Sequence, residues 1–234
     1  MTKRLQNLVL VPGLICDEEV WAHPRAHLAE VADVTFAPAD EAPTMPALAA
    51  AVLEKAPASF AIAGFSMGGY VALEVLRQAP ERVTRIALLD TSSRLDPPAK
   101  AAGRVAAIAD CDEGRYDDLL DRFVPMLLTP EHLAGPLGSR VRTMGKRVGP
   151  KLFGDRHRAM QTRTDARELL RGSNIPVRAI VGRFDALTSV AEHQEIADLA
   201  PRGRVSIVEE CGHMPPLEYP QATTALLRDW LVYD

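Results

Sequence analysis

Residues 62–71 read IAGFSMGGYV and place Ser66 between two glycines, where an apolar run meets a helical pattern. The run FAIAG before Ser66 is typical of a buried strand, and MGGYVALEVLRQA after it has apolar residues at helical spacing. Gly64 and Gly68 would let the strand and the helix approach without Cβ clashes, which predicts a tight turn that exposes the serine hydroxyl. Ser66 is therefore the candidate nucleophile. The alternative is a serine that only caps the helix.

Short apolar runs alternate with segments of helical period along the rest of the chain, a pattern typical of repeated βα units. The strand candidates are NLVLVPG from Asn7, DVTFAPA from Asp33, FAIAGFS from Phe60, RIALLDTS from Arg85, VRAIVGRFD from Val177 and RVSIVEECGH from Arg204. Predicted helices cover roughly residues 18–31, 45–56, 67–79, 190–199 and 220–232. The pattern predicts an α/β fold with a mainly parallel six-stranded sheet and helices on both faces.

The βα rhythm breaks once, between about Ser93 and Ile175, where helical patterns and prolines occur without a convincing strand. Such a stretch is too long for a loop. We therefore expect a helical cap insertion over residues 94–174, between core parts at residues 1–93 and 175–234.

Basic residues cluster inside this expected insertion. They are Arg140, Arg142, Lys146, Arg147, Lys151, Arg156, Arg158 and Arg163. Within that window they face only Asp155, so the cap is expected to be locally positive. A solvated helix face and a guide for an anionic substrate are both open interpretations.

Composition limits the possible function classes. The chain has 234 residues, of which 47% are hydrophobic, as in an ordinary globular domain. Its net charge of −4 argues against a general affinity for nucleic acid. Three widely spaced cysteines, Cys16, Cys111 and Cys211, fit neither a disulfide framework nor a zinc cluster, which favours a reducing compartment.

The N-terminal apolar stretch superficially resembles a signal peptide, since it follows Lys3 and Arg4. Pro12 and Gly13 interrupt it, and no signal-peptidase site follows. No window reaches the length of a membrane span. We therefore expect a cytoplasmic protein that binds neither membranes nor nucleic acid.

A base and an acid are required because a serine hydroxyl is a weak nucleophile at neutral pH. Of six histidines, His213 lies in the loop ECGHMPPLEYP directly after the last strand candidate, at the edge where active sites of parallel sheets gather. Two aspartates end strands: Asp185 in VGRFDALTS and Asp90 in LLDTSS. Chain order Ser, Asp, His fits both. We favour Asp185 as the acid, because Asp90 can equally cap a turn with the hydroxyl residues that follow it.

The other histidines are expected to have ordinary roles. His23 and His27 have the spacing of a metal pair, but Pro24 intervenes and no third ligand is apparent, so we expect no metal site. No cofactor is expected either. His132, His157 and His193 lie in predicted helical regions without turn residues around them, and surface positions are expected for all three.

Taken together, the motifs resemble those of the α/β-hydrolase superfamily across the whole core, with the insertion where that family carries its cap. The resemblance implies Ser66 as nucleophile, Asp185 as acid and His213 as base. It also implies oxyanion-hole donors at the backbone N–H groups of Leu14 and Met67, and six parallel strands without the family's two N-terminal antiparallel strands.

Two residues depart from common family patterns. Pro12 stands before the glycine of the oxyanion loop, where many relatives have histidine. Phe65 stands where relatives often have histidine, which should make the wall behind the nucleophile more apolar. Trp21 matches a common aromatic position and is expected to pack.

The resemblance implies attack of the serine on a carbonyl of a small-molecule acyl substrate, an acyl-enzyme, and deacylation by water that His213 activates. Ester hydrolysis is the default expectation. Hydrolysis of a thioester, a lactone or a carbon–carbon bond next to a ketone remains an alternative, because similar triads serve all of them. A non-catalytic binder of the same fold is another. Fold resemblance does not choose the substrate, and the oligomeric state stays open.

Overall fold

The computed structural model describes residues 5–40 and 42–234. Lys3 and Arg4, and with them the predicted start of the core at residue 1, lie outside the described residues. In the part of the chain that is described, no helix has the length and apolar character needed to cross a bilayer. The three cysteines carry free thiols and are buried.

One sheet of six strands forms the centre of the fold. The strands are β1 (Gln6–Val11), β2 (Ala32–Phe36), β3 (Phe60–Phe65), β4 (Val83–Leu89), β5 (Val177–Gly182) and β6 (Gly203–Val208). Their order is β2-β1-β3-β4-β5-β6, and all five pairings are parallel. The predicted α/β class and six-stranded sheet are confirmed, with a sheet that is wholly rather than mainly parallel.

Helices connect the strands. They are α1 (Ala22–His27), α2 (Met45–Lys55), α3 (Met67–Gln78), α4 (Pro98–Asp112), α5 (Tyr116–Phe123), α6 (Pro130–Ala134), α7 (Pro136–Met160), α8 (Arg167–Arg171), α9 (Val190–Leu199), α10 (Pro215–Glu218) and α11 (Pro220–Tyr233). The helix predicted over residues 18–31 is shorter: a 3₁₀ turn at Glu18–Trp21 precedes α1. It ends early because the chain turns into β2 at Leu28, whose carbonyl accepts the N–H groups of Val31 and Ala32.

The long connection between β4 and β5 contains α4 to α8 and, over residues 94–174, all of which the structure describes, no strand. α4 packs against α7, and α7 also reaches α2. α7 is broken at Gly149, where a φ of 77° is available to glycine and the following Pro150 starts a new helical turn. The division of the chain into a core and a separate cap domain stays a prediction.

Parallel pairing brings the carboxyl ends of all strands to one edge of the sheet. The loop after β1 carries Leu14, and Ser66 follows β3 directly. Asp90 follows β4, and the loops after β5 and β6 carry Asp185 and His213. The fold therefore gathers at this edge the residues that the sequence singled out.

Candidate active site

Ser66 occupies a strained turn between β3 and α3, with a φ of 52° and a ψ of −115°. A non-glycine residue rarely adopts this conformation. The surrounding backbone fixes it, because the Ser66 N–H donates to the carbonyl of Leu89 at 2.8 Å and the Thr91 hydroxyl donates to the Ser66 carbonyl at 2.8 Å. The Ser66 side chain makes no capping hydrogen bond within the described residues, which contradicts its interpretation as a simple helix cap.

The two glycines of the turn are required by close backbone approach. A Cβ atom at Gly64 would lie 2.2 Å from the Gly68 carbonyl oxygen, and one at Gly68 would lie 2.3 Å from the Val11 carbonyl oxygen. Neither neighbour can move aside, because both are main-chain atoms. The spacing Gly-x-Ser-x-Gly therefore follows from packing β1, β3 and α3 together at the turn.

His213 joins Ser66 and Asp185 in one line of hydrogen bonds. Its Nε2 lies 2.9 Å from Ser66 Oγ, and its Nδ1 lies 2.8 Å from Asp185 Oδ1. An ionised carboxylate can only accept hydrogen bonds, so Nδ1 carries the proton and Nε2 is left to accept one from the serine hydroxyl. This is the tautomer that a general base next to Ser66 requires.

Asp185 is held as a carboxylate by its surroundings. Its Oδ1 accepts the N–H groups of Leu187 at 2.8 Å and Thr188 at 3.1 Å, and its Oδ2 accepts the Thr188 hydroxyl at 2.5 Å. Burial alone would raise the pKa of Asp185, but the neighbouring His213 and these hydrogen bonds lower it far below its usual range. The group is thus ionised whenever the imidazole needs a negative partner.

Asp90 is completely buried beside this pair. Its Oδ1 accepts the Gly182 N–H at 2.9 Å, and its backbone φ is 45°. Burial, followed by the nearby charge of Asp185, raises the pKa of Asp90 well above its usual range. The structure therefore brings both candidate acids to the site but gives only Asp185 a hydrogen bond to His213.

Asp90, Asp185 and His213 also form the one group of metal-ligand type found within residues 5–40 and 42–234, with candidate atoms within 4.8 Å of one another. The hydrogen bond between His213 and Asp185 already uses two of these atoms. A cation at this position would also have to displace the proton of Nδ1. The donor set therefore fits a histidine–carboxylate pair better than a metal site.

Glu218, which the sequence did not single out, fixes the loop of His213. Its Oε1 accepts the N–H groups of Gly212 and Met214 at 3.0 Å, one on each side of the histidine. The His213 N–H donates to the Leu127 carbonyl at 2.9 Å, which ties the loop to the inserted segment. The sequence could have indicated this role, because Glu218 is the acidic residue of the proline-rich PPLEYP. The N–H groups of such a loop need hydrogen-bond acceptors.

Arg156 of α7 holds the loop after β1 by hydrogen bonds to its carbonyl groups. The buried guanidinium donates to the carbonyl groups of Gly13 at 3.3 Å, Leu14 at 2.7 Å and Cys16 at 3.1 Å, and to Asp40 at 2.9 Å. A planar guanidinium with five N–H donors suits several carbonyl acceptors at once. The loop with Leu14, one of the predicted oxyanion donors, is thereby fixed next to Ser66.

Met67, the other predicted oxyanion donor, is the first residue of α3. N–H groups in the first turn of a helix have no partner within the helix. Leu14 and Met67 line the same cavity as Ser66 and His213. The structure thus places both predicted donors at the site.

A cavity of about 380 Å³ opens at Ser66 and His213. Its walls are largely apolar, and the inserted segment supplies Leu119, Phe123, Met126, Phe153 and Met160. Phe65 is buried behind the site, with its ring centroid 5.5 Å from that of His213 and 6.5 Å from that of Trp21. The expected apolar wall and the packing role of Trp21 agree with these contacts.

The expectation that the inserted segment is locally positive is wrong. The acidic partners of the eight basic residues are Glu19, Asp121, Asp117, Asp17, Asp155, Asp40, Asp112 and Asp96, nearly all outside the sequence window that contains the basic residues. Arg140, Arg142 and Arg147 pair at the surface away from the cavity. These three arginines fit a solvated helix face rather than a guide for substrate.

Two of the three histidines expected at the surface are buried, so that expectation is wrong for them. His193 Nε2 accepts the Thr91 N–H at 3.0 Å, and Thr91 in turn holds the Ser66 carbonyl. His157 lines the cavity. His132 is partly exposed and lies 3.0 Å from a Glu218 oxygen.

The histidine pair at the N-terminal end has local partners. The rings of His23 and His27 stack with centroids 4.0 Å apart. His23 Nδ1 lies 2.7 Å from the Thr224 hydroxyl, and His27 Nδ1 donates to the His23 carbonyl at 2.9 Å. These contacts account for both residues as packing and surface groups.

Comparisons with a family model and with curated proteins agree on the family of this chain. The model of the alpha/beta hydrolase family matches residues 8–226. A pimeloyl-[acyl-carrier protein] methyl ester esterase of Aromatoleum aromaticum is 29% identical, covering 80% of each chain. The enzyme of the same name from Nitrosomonas europaea is 27% identical over 73% of this chain and 70% of its own.

Solved structures resemble the fold over nearly its whole length. A thermophilic esterase from Thermogutta terrifontis, with malate bound, superimposes with a TM-score of 0.87 at 24% identity, covering 98% of this chain and 90% of the esterase. The enol-lactonase from Burkholderia xenovorans LB400 gives 0.85 at 22% identity, covering 98% and 92%. At such identities the similarity establishes the fold alone.

Proposed function

Because the chain belongs to the alpha/beta hydrolase family, we propose that it hydrolyses carboxylic esters of small molecules through an acyl-enzyme on Ser66. The observation that carries this proposal is the line of hydrogen bonds from Ser66 Oγ through His213 to Asp185. The names of the similar curated proteins, which are methyl ester esterases, support an ester as the substrate.

In the acylation step, Ser66 Oγ attacks the ester carbonyl carbon while His213 Nε2 takes the hydroxyl proton. Asp185 stabilises the imidazolium that forms. The carbonyl oxygen becomes an oxyanion, which the N–H groups of Leu14 and Met67 and the N-terminal end of α3 stabilise. Arg156 keeps the Leu14 loop in place during this step.

When the tetrahedral intermediate collapses, the bond to the alcohol oxygen breaks and His213 returns the proton to that oxygen. The alcohol leaves, and the acyl group remains on Ser66. Water then enters, His213 removes one of its protons, and a second collapse releases the carboxylic acid and regenerates the serine hydroxyl. The same three residues therefore serve both halves of the reaction.

The inserted segment is proposed to act as the cap over residues 94–174. It supplies the apolar wall of the cavity, and Leu127 holds the His213 loop. A cap of this kind would select the acyl group of the substrate. We further propose a cytoplasmic location, which three free buried cysteines support, since thiols persist in a reducing compartment.

A panel of p-nitrophenyl and methyl esters of varied acyl length tests the proposal, with purified wild type, Ser66→Ala and the exposed-helix control Ser139→Ala. Wild type and Ser139→Ala should hydrolyse esters at equal rates, and Ser66→Ala should lose activity while keeping its circular dichroism spectrum. Near wild-type turnover by Ser66→Ala would remove the assigned nucleophile. A folded wild type inactive on the whole panel would favour the non-catalytic alternative.

A further inference from the structure

Polar side chains line the catalytic cavity at a distance from Ser66. Tyr70, Arg104 and His157 contribute to its wall, each less than a tenth exposed. Tyr70 lies on α3 one helical turn beyond Ser66, which corresponds to roughly 6 Å along the helix axis. Arg104 comes from α4 and His157 from α7, so the inserted segment brings two of the three groups to this place.

The buried cluster behind this wall carries an excess positive charge. Asp96 accepts hydrogen bonds from Arg104 Nε at 2.5 Å and Nη2 at 3.1 Å, and from Arg163 Nη2 at 2.8 Å. Two guanidinium groups thus share one carboxylate, and all three side chains are less than a tenth exposed. The cavity wall also contains Lys100, Arg122 and one carboxylate, Asp110, which pairs with Arg122 at 2.5 Å, so Lys100 adds a further cation.

The guanidinium groups of this cluster stay charged. Burial acts to lower the pKa of Arg104, but hydrogen bonds to Asp96 and Tyr70 raise it above its usual value. Burial, followed by the charge of Arg104, lowers the pKa of His157 to about 3, so this imidazole is neutral and contributes no charge to the cluster. A buried net charge is costly unless a counter-ion accompanies it.

Several donors of the cluster also lack oxygen acceptors. Among the described residues, His157 Nδ1 and Arg163 Nη1 are buried without any hydrogen-bond partner. Arg104 Nη1 donates to the Met160 sulfur at 3.0 Å, and sulfur is a weak acceptor. Arg163 lies over the Tyr70 ring at 4.0 Å. Native proteins leave few buried polar groups unpaired, so such a concentration beside a cavity points to a ligand.

We propose that Tyr70, Arg104 and His157, backed by Arg163, form a subsite for a carboxylate at the far end of the acyl chain. The preferred substrates are then monoesters of dicarboxylic acids with small alcohols. A carboxylate accepts several hydrogen bonds, and its single negative charge offsets the excess of the Arg104–Asp96–Arg163 cluster. With a small alcohol, the acyl part is the part long enough to extend along the cavity from Ser66.

A purely structural cluster would balance its charges, as the surface arginines of the same segment do. Arg142 pairs with Asp121 at 2.7 Å and lies 3.6 Å from Asp117. The buried cluster, where imbalance costs most, is the one with an excess cation. This contrast separates the subsite from the solvated basic face of α7.

The inference rests on the proposed ester hydrolysis, and a pair of substrates separates the two. Monomethyl adipate and methyl hexanoate share the ester and the chain, and differ by a terminal carboxylate in place of a methyl group. Wild type should favour monomethyl adipate in kcat/KM by at least about tenfold, since hydrogen bonds to a charged group in a buried site are strong. Hydrolysis of methyl hexanoate without that preference would overturn the subsite and leave the proposed function standing.

Variants test the charge argument directly. Arg163→Gln removes the excess cation and keeps the Arg104–Asp96 pair, so the preference should fall at least several-fold. Asp96→Asn increases the positive charge, and the preference should rise. The matched surface control Arg142→Gln should change neither rate. An unchanged preference in folded Arg163→Gln would contradict the inference.

Binding of the adipate dianion, measured by calorimetry, does not depend on turnover. Wild type should bind adipate at least about tenfold more tightly than folded Arg163→Gln or, if that variant does not fold, more tightly than it binds neutral adipamide, which has no ester bond. If no ester of the panel is hydrolysed, the proposed function fails, and adipate binding alone still decides the subsite. Absence of adipate binding to wild type would overturn it.

Discussion

The carboxyl groups of Asp90 and Asp185 lie in one buried cluster, but only Asp185 is hydrogen-bonded to His213, at 2.8 Å. Asp90 instead accepts the Gly182 N–H at the end of β5. The two environments move the pKa values of the carboxyl groups in opposite directions, up for Asp90 and down for Asp185. This difference favours Asp185 as the acid and gives Asp90 a supporting role.

Replacing the two aspartates should therefore have unequal effects. Asp185→Asn removes the negative partner of the imidazolium and should reduce kcat by at least about a hundredfold. Asp90→Asn keeps an oxygen for the Gly182 N–H and should cost much less. Both variants are assayed with one ester after circular dichroism shows that they are folded. The reverse ranking would move the acid to Asp90.

Asp90 should also affect how the free energy of unfolding depends on pH. A carboxyl group with a raised pKa binds its proton more tightly when folded, so its contribution to stability is complete below about pH 3.9 and declines as pH rises toward the folded pKa. Asparagine does not titrate. Urea unfolding at pH 4.5 and 7.5 should show the stability of Asp90→Asn, relative to wild type, improving at the higher pH. A difference that stays constant would mean that Asp90 is ionised in the folded state.

The pH dependence of catalysis should have an acid limb that belongs to an imidazole. Protonation of the base prevents it from accepting the serine proton, so kcat/KM should fall toward acidic pH. The strongly lowered pKa of Asp185 keeps that carboxylate ionised over the same range and excludes it as the titrating group. The profile is measured with an uncharged ester. A rate that is flat down to pH 5 would require a different base.

Arg156 should affect turnover more than binding, although it does not line the cavity. Its loss frees the carbonyl groups of Gly13, Leu14 and Cys16, and the oxyanion donor at Leu14 should then be less well placed. Arg156→Lys cannot reach all these acceptors, and kcat should fall about tenfold or more, with a smaller change in KM.

The control for Arg156 is Arg158→Gln, which removes a surface ion pair of the same helix with Asp112. It should leave kcat and KM near wild type. A fall in melting temperature of Arg156→Lys with unchanged kcat would assign Arg156 to stability alone.

Local patterns were sufficient to predict the sheet and the Ser66 turn. The strands are short apolar runs because both faces of a parallel sheet are buried, as β3 and β5 show. Gly64 and Gly68 indicate that the main chains of β1, β3 and α3 approach closely at the Ser66 turn. Chain order and loop position then located His213 and two possible acids, and the choice between these needed a distance.

Contacts between distant parts of the chain could not be predicted from local patterns. Arg156 bonds to a loop more than a hundred residues earlier, and Asp96 joins Arg104 of α4 to Arg163, which follows α7. In the sequence, Arg156 and Arg163 stand in a run of basic residues and look like surface charges. His157 likewise lies in a polar helix, and its burial follows only from how α7 packs over the cavity.

The most direct test of the account is labelling with a fluorophosphonate probe, because it requires an activated serine and no knowledge of the substrate. Intact-mass and peptide mass spectrometry of the labelled protein give the number and the position of the adducts. Wild type should carry a single adduct on Ser66, Ser66→Ala should carry none, and Asp185→Asn should be labelled slowly. A folded wild type that remains unlabelled, or an adduct on another residue, would contradict the assignment of Ser66 as nucleophile.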